Sequence, residues 1–191
     1  MALKPVSPSR EALIAELYEM FRTLGFDGLS IGVSMRTGLG KSSLYYHFPG
    51  GKDDMAISVV AFACAWLRAN VIAPLLADRP RAERIAASTR AVRELFDDGR
   101  SSCLIASLTM PGTRVPVRDE LARTLADWIA ALATALIETG AEPSGAHLAA
   151  TAALSRIEGA LILVRAFRNT DAFTTQIDAI AADLIGVGSG N

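Results

Sequence analysis

The sequence predicts an all-α fold in two parts, a small helix-turn-helix head followed by a larger helical domain, with about nine helices in total. Three observations carry that expectation. Apolar residues recur at spacings of three and four in nearly every segment longer than ten residues; alternating apolar and polar runs are essentially missing; and Gly- and Pro-containing breaks separate the periodic stretches. A chain of 191 residues can also bury a core without disulfide or metal staples.

The first helix is expected from about Pro8 to Leu24. Ser7 can cap it, Pro8 suits a first helical position, and Leu13, Ile14, Leu17, Phe21 and Leu24 form one apolar stripe that stops at Gly25. A short helix from about Ser30 to Thr37, a turn at Gly38-Leu39-Gly40 and a second short helix from Lys41 to about His47 follow, closed by Phe48-Pro49-Gly50-Gly51. From there the helices lengthen: about Asp53 to Ala77, with two aspartates at its positive end, then Arg81 to Asp97 and Ser101 to Met110. A Pro-Gly linker leads into a helix from about Val117 to Thr139, with Leu121, Leu125, Trp128, Leu132 and Leu136 on one face. The last two helices span about Gly145 to Arg168 and Asp171 to Ile185. This order divides the chain into a head at 1–52, a helical domain at 53–186 and a disordered tail at 187–191.

Composition removes several classes of function. The formal charge of −1 gives no global attraction to nucleic acid, so phosphate affinity has to come from a local surface. From Gly28 to Lys52 the charged residues are Arg36, Lys41 and Lys52, with no carboxylate among them. Cys64 and Cys103 lie in apolar stretches and read as small buried hydrophobes, and the two histidines, His47 and His147, have no chelating spacing, so no metal and no cofactor are expected. The N-terminus has no continuous apolar segment, and the run Ile57 to Leu67 is too short for a bilayer and ends at Arg68. A cytoplasmic protein without a membrane partner is the expectation. Gly28-Leu-Ser-Ile-Gly32 imitates a nucleophile elbow and Gly40-Lys41-Ser42 the end of a P-loop, but both devices need a preceding strand that this pattern does not offer. No enzyme is expected.

Within the two short helices, Leu44 and Phe48 are four apart and should anchor one face beside Phe21 and Leu24. Lys41, Ser42, Ser43, Tyr45, Tyr46 and His47 are left on the other faces, a mixture of a cation, hydroxyls and aromatic hydrogen bonders suited to phosphates and base edges. The run from Gly38 to Phe48, followed by Lys52, resembles the recognition helix of the TetR family of bacterial regulators, and the layout of long helices downstream is similar over the whole chain. The extra residue in Pro-Gly-Gly-Lys and the segment Arg156 to Arg168 resemble the branch of lincomycin-resistance and flavonoid-responsive repressors. Gly40, where a capping serine is common, and Gly32, inside a short helix, depart from the family pattern.

The resemblance implies a dimeric repressor that binds a double-stranded DNA operator and leaves it when a small-molecule inducer binds. It implies base contacts from Ser42, Ser43 and Tyr45 and backbone contacts from Tyr46, His47, Lys41 and Lys52, with Arg36 in the same basic window. Phe62, Trp66, Phe96, Cys103, Ser107, Met110 and Trp128, with Glu158 and Arg165 as orienting polar groups, are the candidates for a largely apolar ligand site. Leu154, Ile157, Leu161, Val164, Phe173, Ile177, Ile180 and Leu184, on the last two helices, are the candidates for a homodimer interface.

Overall fold

Ser9 sets the start of the first helix. Its Oγ accepts the Ala12 N–H at 3.2 Å, one of the amides that a helix start leaves unsatisfied, and its carbonyl accepts the Leu13 N–H at 3.1 Å as the first helical bond. The computed structural model describes residues 9–37, 40–108 and 115–186, and over 26–37 and at 41 the backbone alone. Ser7, Pro8, Gly38, Leu39, Met110 and the 187–191 tail lie outside the described residues.

Helix α1 (Arg10–Thr37) is two helices joined at Gly25, whose φ of 67° and ψ of −175° break the helical path. The expected stop at Gly25 is thus a kink, and the short second helix continues from it. Leu13, Ile14, Leu17 and Phe21 are buried as the stripe requires, together with Met20, but Leu24 is 48% exposed. It directly precedes the kink. Helix α2 (Lys41–His47) begins after Gly40, which offers no side-chain cap, and ends where the Phe48 N–H bonds the Leu44 carbonyl at 2.8 Å.

Helix α3 (Lys52–Leu67) does not stop at Arg68. It passes through a π turn, Arg68–Ile72, into the short α4 (Ala73–Leu75). The span Lys52–Leu75 and the later helix Pro143–Phe167 are long and apolar enough to cross a membrane by length and composition, which corrects the expectation that the run was too short. Each buries a face in the protein, Val59, Val60, Cys64, Val71 and Leu75 on the first and Ala153, Ile157 and Leu161 on the second, as core helices do. There follow α5 (Arg81–Leu95), a 3-10 turn at Asp97–Gly99, α6 (Leu104–Leu108), α7 (Val115–Ile137), α8 (Pro143–Phe167) and α9 (Asp171–Gly186), with no strand among the described residues.

Contacts divide the chain into two compact units, 1–63 with 104–120 and 64–103 with 121–191. Compactness therefore does not follow the division at Lys52 expected from sequence. In the first unit, α6 packs along α1, where the Ser107 hydroxyl donates to the Arg22 carbonyl at 3.1 Å. In the second, α8 packs on α9 and α5 on α9 around Ile157, Leu161, Phe173, Ile177 and Ile180. Arginines tie the edges of that core. Arg84, 8% exposed, donates to the Leu75 carbonyl at 3.0 Å and pairs with Glu138; Arg156 reaches Gln176 at 2.9 Å and Asp183 at 2.7 Å.

Candidate functional site

Burial separates the α2 side chains into an anchor and a display. Leu44 and Phe48 are 4% and 0% exposed, so the helix is fixed by the pair that its i, i+4 spacing predicted. Tyr45 and Tyr46 are 50% and 82% exposed, Ser42 is exposed, and Ser43 and His47 are half-buried. The Tyr46 and His47 rings meet edge-on, centroids 5.2 Å apart. Gly51, at φ 65°, lets the chain turn back beneath Tyr45: a Cβ there would lie 3.5 Å from the tyrosine ring. The side chains of Arg36 and Lys41 lie outside those described.

Arg10 was not singled out by the sequence, because nothing in its spacing marks it. It lies over the Phe48 ring at 5.2 Å, donates to the His47 carbonyl at 3.4 Å and to Ser58 Oγ at 2.7 Å, and stands 4.0 Å from Asp54. One side chain from the first turn of α1 thereby joins the end of α2 to α3. Lys52, half-buried, opens α3, but Asp53 and Asp54 share its first turn and Asp54 accepts the Gly50 N–H at 3.4 Å. Those carboxylates already answer the positive helix end and work against a phosphate held by its amides.

The residues expected to converge on a ligand are divided. Phe62, 44% exposed, packs edge-on to Tyr18 at 6.0 Å in the first unit, where Ser107 is bonded to α1. In the second unit, Phe96 is 4% exposed and packs edge-on against Phe173 at 5.9 Å, while Trp66 is half-buried. Trp128, 6% exposed, borders a space of about 20 Å³ with Ile85, Ile157 and Ile180, room for about one water. The polar members do meet: the buried Cys103 thiol donates to Glu158 Oε1 at 3.0 Å. Burial raises the Glu158 carboxyl above its ordinary value of 4.5, opposed by that hydrogen bond and by the charge of Arg165. Met110 falls outside the described residues.

The dimer candidates need correction. Seven of the eight, Ile157, Leu161, Val164, Phe173, Ile177, Ile180 and Leu184, are at most 7% exposed within the single chain, and Leu154 lines the small space by Trp128. The seven form the α8–α9 core within the single chain, and Leu154 is half-buried at its edge. The large apolar residues that α8 does expose are Leu148, Ile162, Leu163 and Phe167, at 69%, 57%, 44% and 72%. Their periodicity was visible in the sequence, but an amphipathic helix with apolar residues nearly all round does not reveal which stripe faces inward.

A short helix anchored by two apolar residues and displaying hydroxyls and aromatic donors, set before a larger helical bundle, is the build of a helix-turn-helix transcriptional regulator. Residues 81–179, more than half of the chain, match the family model described as "Transcriptional regulator LmrA/YxaF-like, C-terminal domain". The HTH-type transcriptional regulator LmrA of Bacillus subtilis is 28% identical over 168 residues, 85% of this chain and 89% of its own. In fold, a TetR transcriptional regulator from Legionella pneumophila superposes with a TM-score of 0.81 at 18% identity, covering 94% of this chain and 99% of that one. AibR, solved with isovaleryl coenzyme A and operator DNA, gives 0.68 at 17% identity, covering 93% and 96%. The chain belongs to the TetR family of DNA-binding transcriptional regulators, in its LmrA/YxaF-like branch.

Proposed function

We propose that this regulator is a cytoplasmic homodimeric repressor that binds a palindromic operator and is released from it by a small molecule. The observation that carries the DNA half of the reading is the α2 display. Ser42, Tyr45 and Tyr46 are exposed over the buried Leu44–Phe48 anchor, in a window of sequence, Gly28 to Lys52, that holds no carboxylate. Ser42, Ser43 and Tyr45 then read base edges, while Arg36, Lys41, Tyr46, His47 and Lys52 position the backbone. A fold neighbour solved with both an acyl coenzyme A and operator DNA supports pairing a ligand with an operator on this architecture.

The second half of the reading is release. A ligand acts only through its difference in affinity for the bound and released conformations, so operator and ligand must weaken one another by the same factor. Dimerisation supplies two α2 helices for successive major grooves, roughly 34–36 Å apart. The exposed α8 residues Leu148, Ile162 and Phe167 are the surface proposed for it, in place of the buried set.

Selection from a random duplex pool tests the reading. An enriched inverted repeat is expected, with affinity falling steeply with salt. Lys41→Ala should weaken all duplexes alike and lower the salt slope by about one ion, whereas Tyr45→Phe should change the preferred base within each half-site. A pool that stays unenriched at low salt removes the DNA reading, and a uniform loss for Tyr45→Phe removes its role in reading.

A further inference from the structure

Taking as given that a small molecule regulates this chain, we propose that its acidic group is an oxyanion held by Arg165 and Arg168 in the groove between the 99–102 loop and the turn joining α8 to α9. The groove measures about 270 Å³, against about 20 Å³ beside Trp128, and only the former approaches the size of sites that enclose small organic ligands. Arg100, Ser101, Ser102, Arg165, Arg168 and Thr170 line it, and none of the lining residues is acidic. Arg100 is already engaged, with Asp97 accepting two of its N–H groups at 3.0 and 3.1 Å. No carboxylate stands within 4.0 Å of Arg165 or Arg168 among the described residues, and the one charge that Arg165 feels, Glu158, is a buried carboxyl whose pKa is raised by that burial. Their planar forks match the paired oxygens of a carboxylate or a phosphate, and the serine and threonine hydroxyls supply further donors. Val164 leaves part of the wall apolar, which suits an organic body behind the anion.

The groove is also where the backbone is least relaxed. Asp97, Asp98 and Arg168 have φ of 47°, 50° and 56°, and they are the non-glycine residues of positive φ among the described ones. All three border this groove or its loop. Glycine takes such a conformation without steric cost, so an arginine at the end of α8 keeps its guanidinium at the expense of the backbone. The opposite wall is pressed into place: Gly99, at φ 91°, lies so close to α9 that a Cβ would stand 2.8 Å from Phe173 Cβ, and Arg93 holds Asp98 at 2.8 Å and Asp178 at 2.6 Å. From this loop the chain runs through Cys103, bonded to Glu158, directly into α6. An anion that draws Ser101 and Ser102 toward the two arginines therefore pulls on the segment that leads to α6.

Isothermal titration of the full chain with inorganic phosphate and with benzoate, at ionic strength held constant with chloride, tests the site. Saturable binding of at least one anion is expected, about tenfold or more weaker in Arg165→Gln and in Arg168→Gln. Arg90→Gln, which removes an exposed arginine of α5 outside the groove lining, should leave it unchanged. Tighter benzoate assigns a carboxylate, and tighter phosphate a phosphate ester. If Arg168→Gln disturbs the turn, Arg168→Gly accepts the positive φ and removes the guanidinium with the rest of the side chain. No saturable binding, or losses no larger than that of Arg90→Gln, overturns the proposal. Duplex selection decides the regulator reading separately, because anion binding through both arginines by a chain that enriches no duplex keeps the site and removes the regulator.

Discussion

Burial of the Glu158 carboxyl makes the folded state hold its proton more tightly than the unfolded chain does, with the Cys103 thiol and Arg165 pulling the other way. Between the ordinary value of 4.5 and the raised one, the folded protein binds more protons than the unfolded. Stability from this residue is therefore fully present below 4.5 and lost as pH rises through the raised value. Glu158→Gln, which can still accept the thiol hydrogen bond, should remove that loss: its Tm at pH 7 should match or exceed the parent's, with a flatter profile above pH 4.5. A Tm that drops by several degrees at pH 7 would mean that the ionised carboxylate is stabilising. At this scale the sequence marked Cys103, Glu158 and Arg165 as residues of interest, but it attached them to Trp128 and Phe96. Their own contacts tie Cys103 to Glu158 and put Arg165 at the edge of the 99–102 groove. Pairwise spacing cannot choose among partners on different helices, which is why the set was legible as a list and not as a place.

Helix boundaries were the most legible level, since α5, α7, α8 and α9 lie within two residues of their expected limits at most ends. Period and breaker residues decide such limits locally. What the pattern could not give was the behaviour of the helices at their joints. Gly25 reads as a stop because glycine commonly ends helices, yet here it turns one helix into the next with φ at 67°. Arg68 reads as an interruption, yet the chain passes it in a π turn while Arg68 donates to the buried Thr124 hydroxyl at 2.9 Å. Both outcomes depend on partners distant in sequence. A methyl at Gly25 would meet only the Ser107 carbonyl at 3.7 Å, an ordinary contact, so the cost of Gly25→Ala is conformational and not steric. It should destabilise the protein by about 1–3 kcal/mol in urea unfolding, because positive φ with ψ near 180° is a region that only glycine enters freely. It should also weaken operator binding by more than its unfolded fraction accounts for, because the kink sets the direction of the helix that precedes α2. A duplex affinity unchanged after correction for folded protein would show that the head tolerates another kink.

Association of two chains is where sequence and structure part most clearly, because the same apolar residues serve as core or as interface according to which stripe turns inward. Along α8 the buried stripe runs through Ala146, Ala150, Ala153, Ile157, Ala160, Leu161 and Val164, which face α9 and the core. The opposite stripe runs through Leu148, Ala152, Ser155, Gly159 and Ile162 at spacings of three and four and widens through Leu163 and Phe167, four and eight residues beyond Gly159, with its large members 44–72% exposed. A Cβ added at Gly159 would meet nothing within 4 Å, so the middle of that stripe is open to close approach by another helix. An apolar strip of this length on a helix that is already fully packed on its other side has no use in a monomer and invites a twofold partner. The test separates the two stripes. Leu161→Glu, at a site 1% exposed, should fail to fold, since it buries a charge without a partner. Ile162→Glu with Phe167→Glu should leave circular dichroism and Tm nearly unchanged, while light scattering moves from dimer to monomer and operator affinity falls by several orders of magnitude as one half-site is lost. A doubly substituted chain that remains dimeric places the interface on another face. One that becomes monomeric yet keeps full operator affinity removes the need for two reading heads, and with it the inverted repeat.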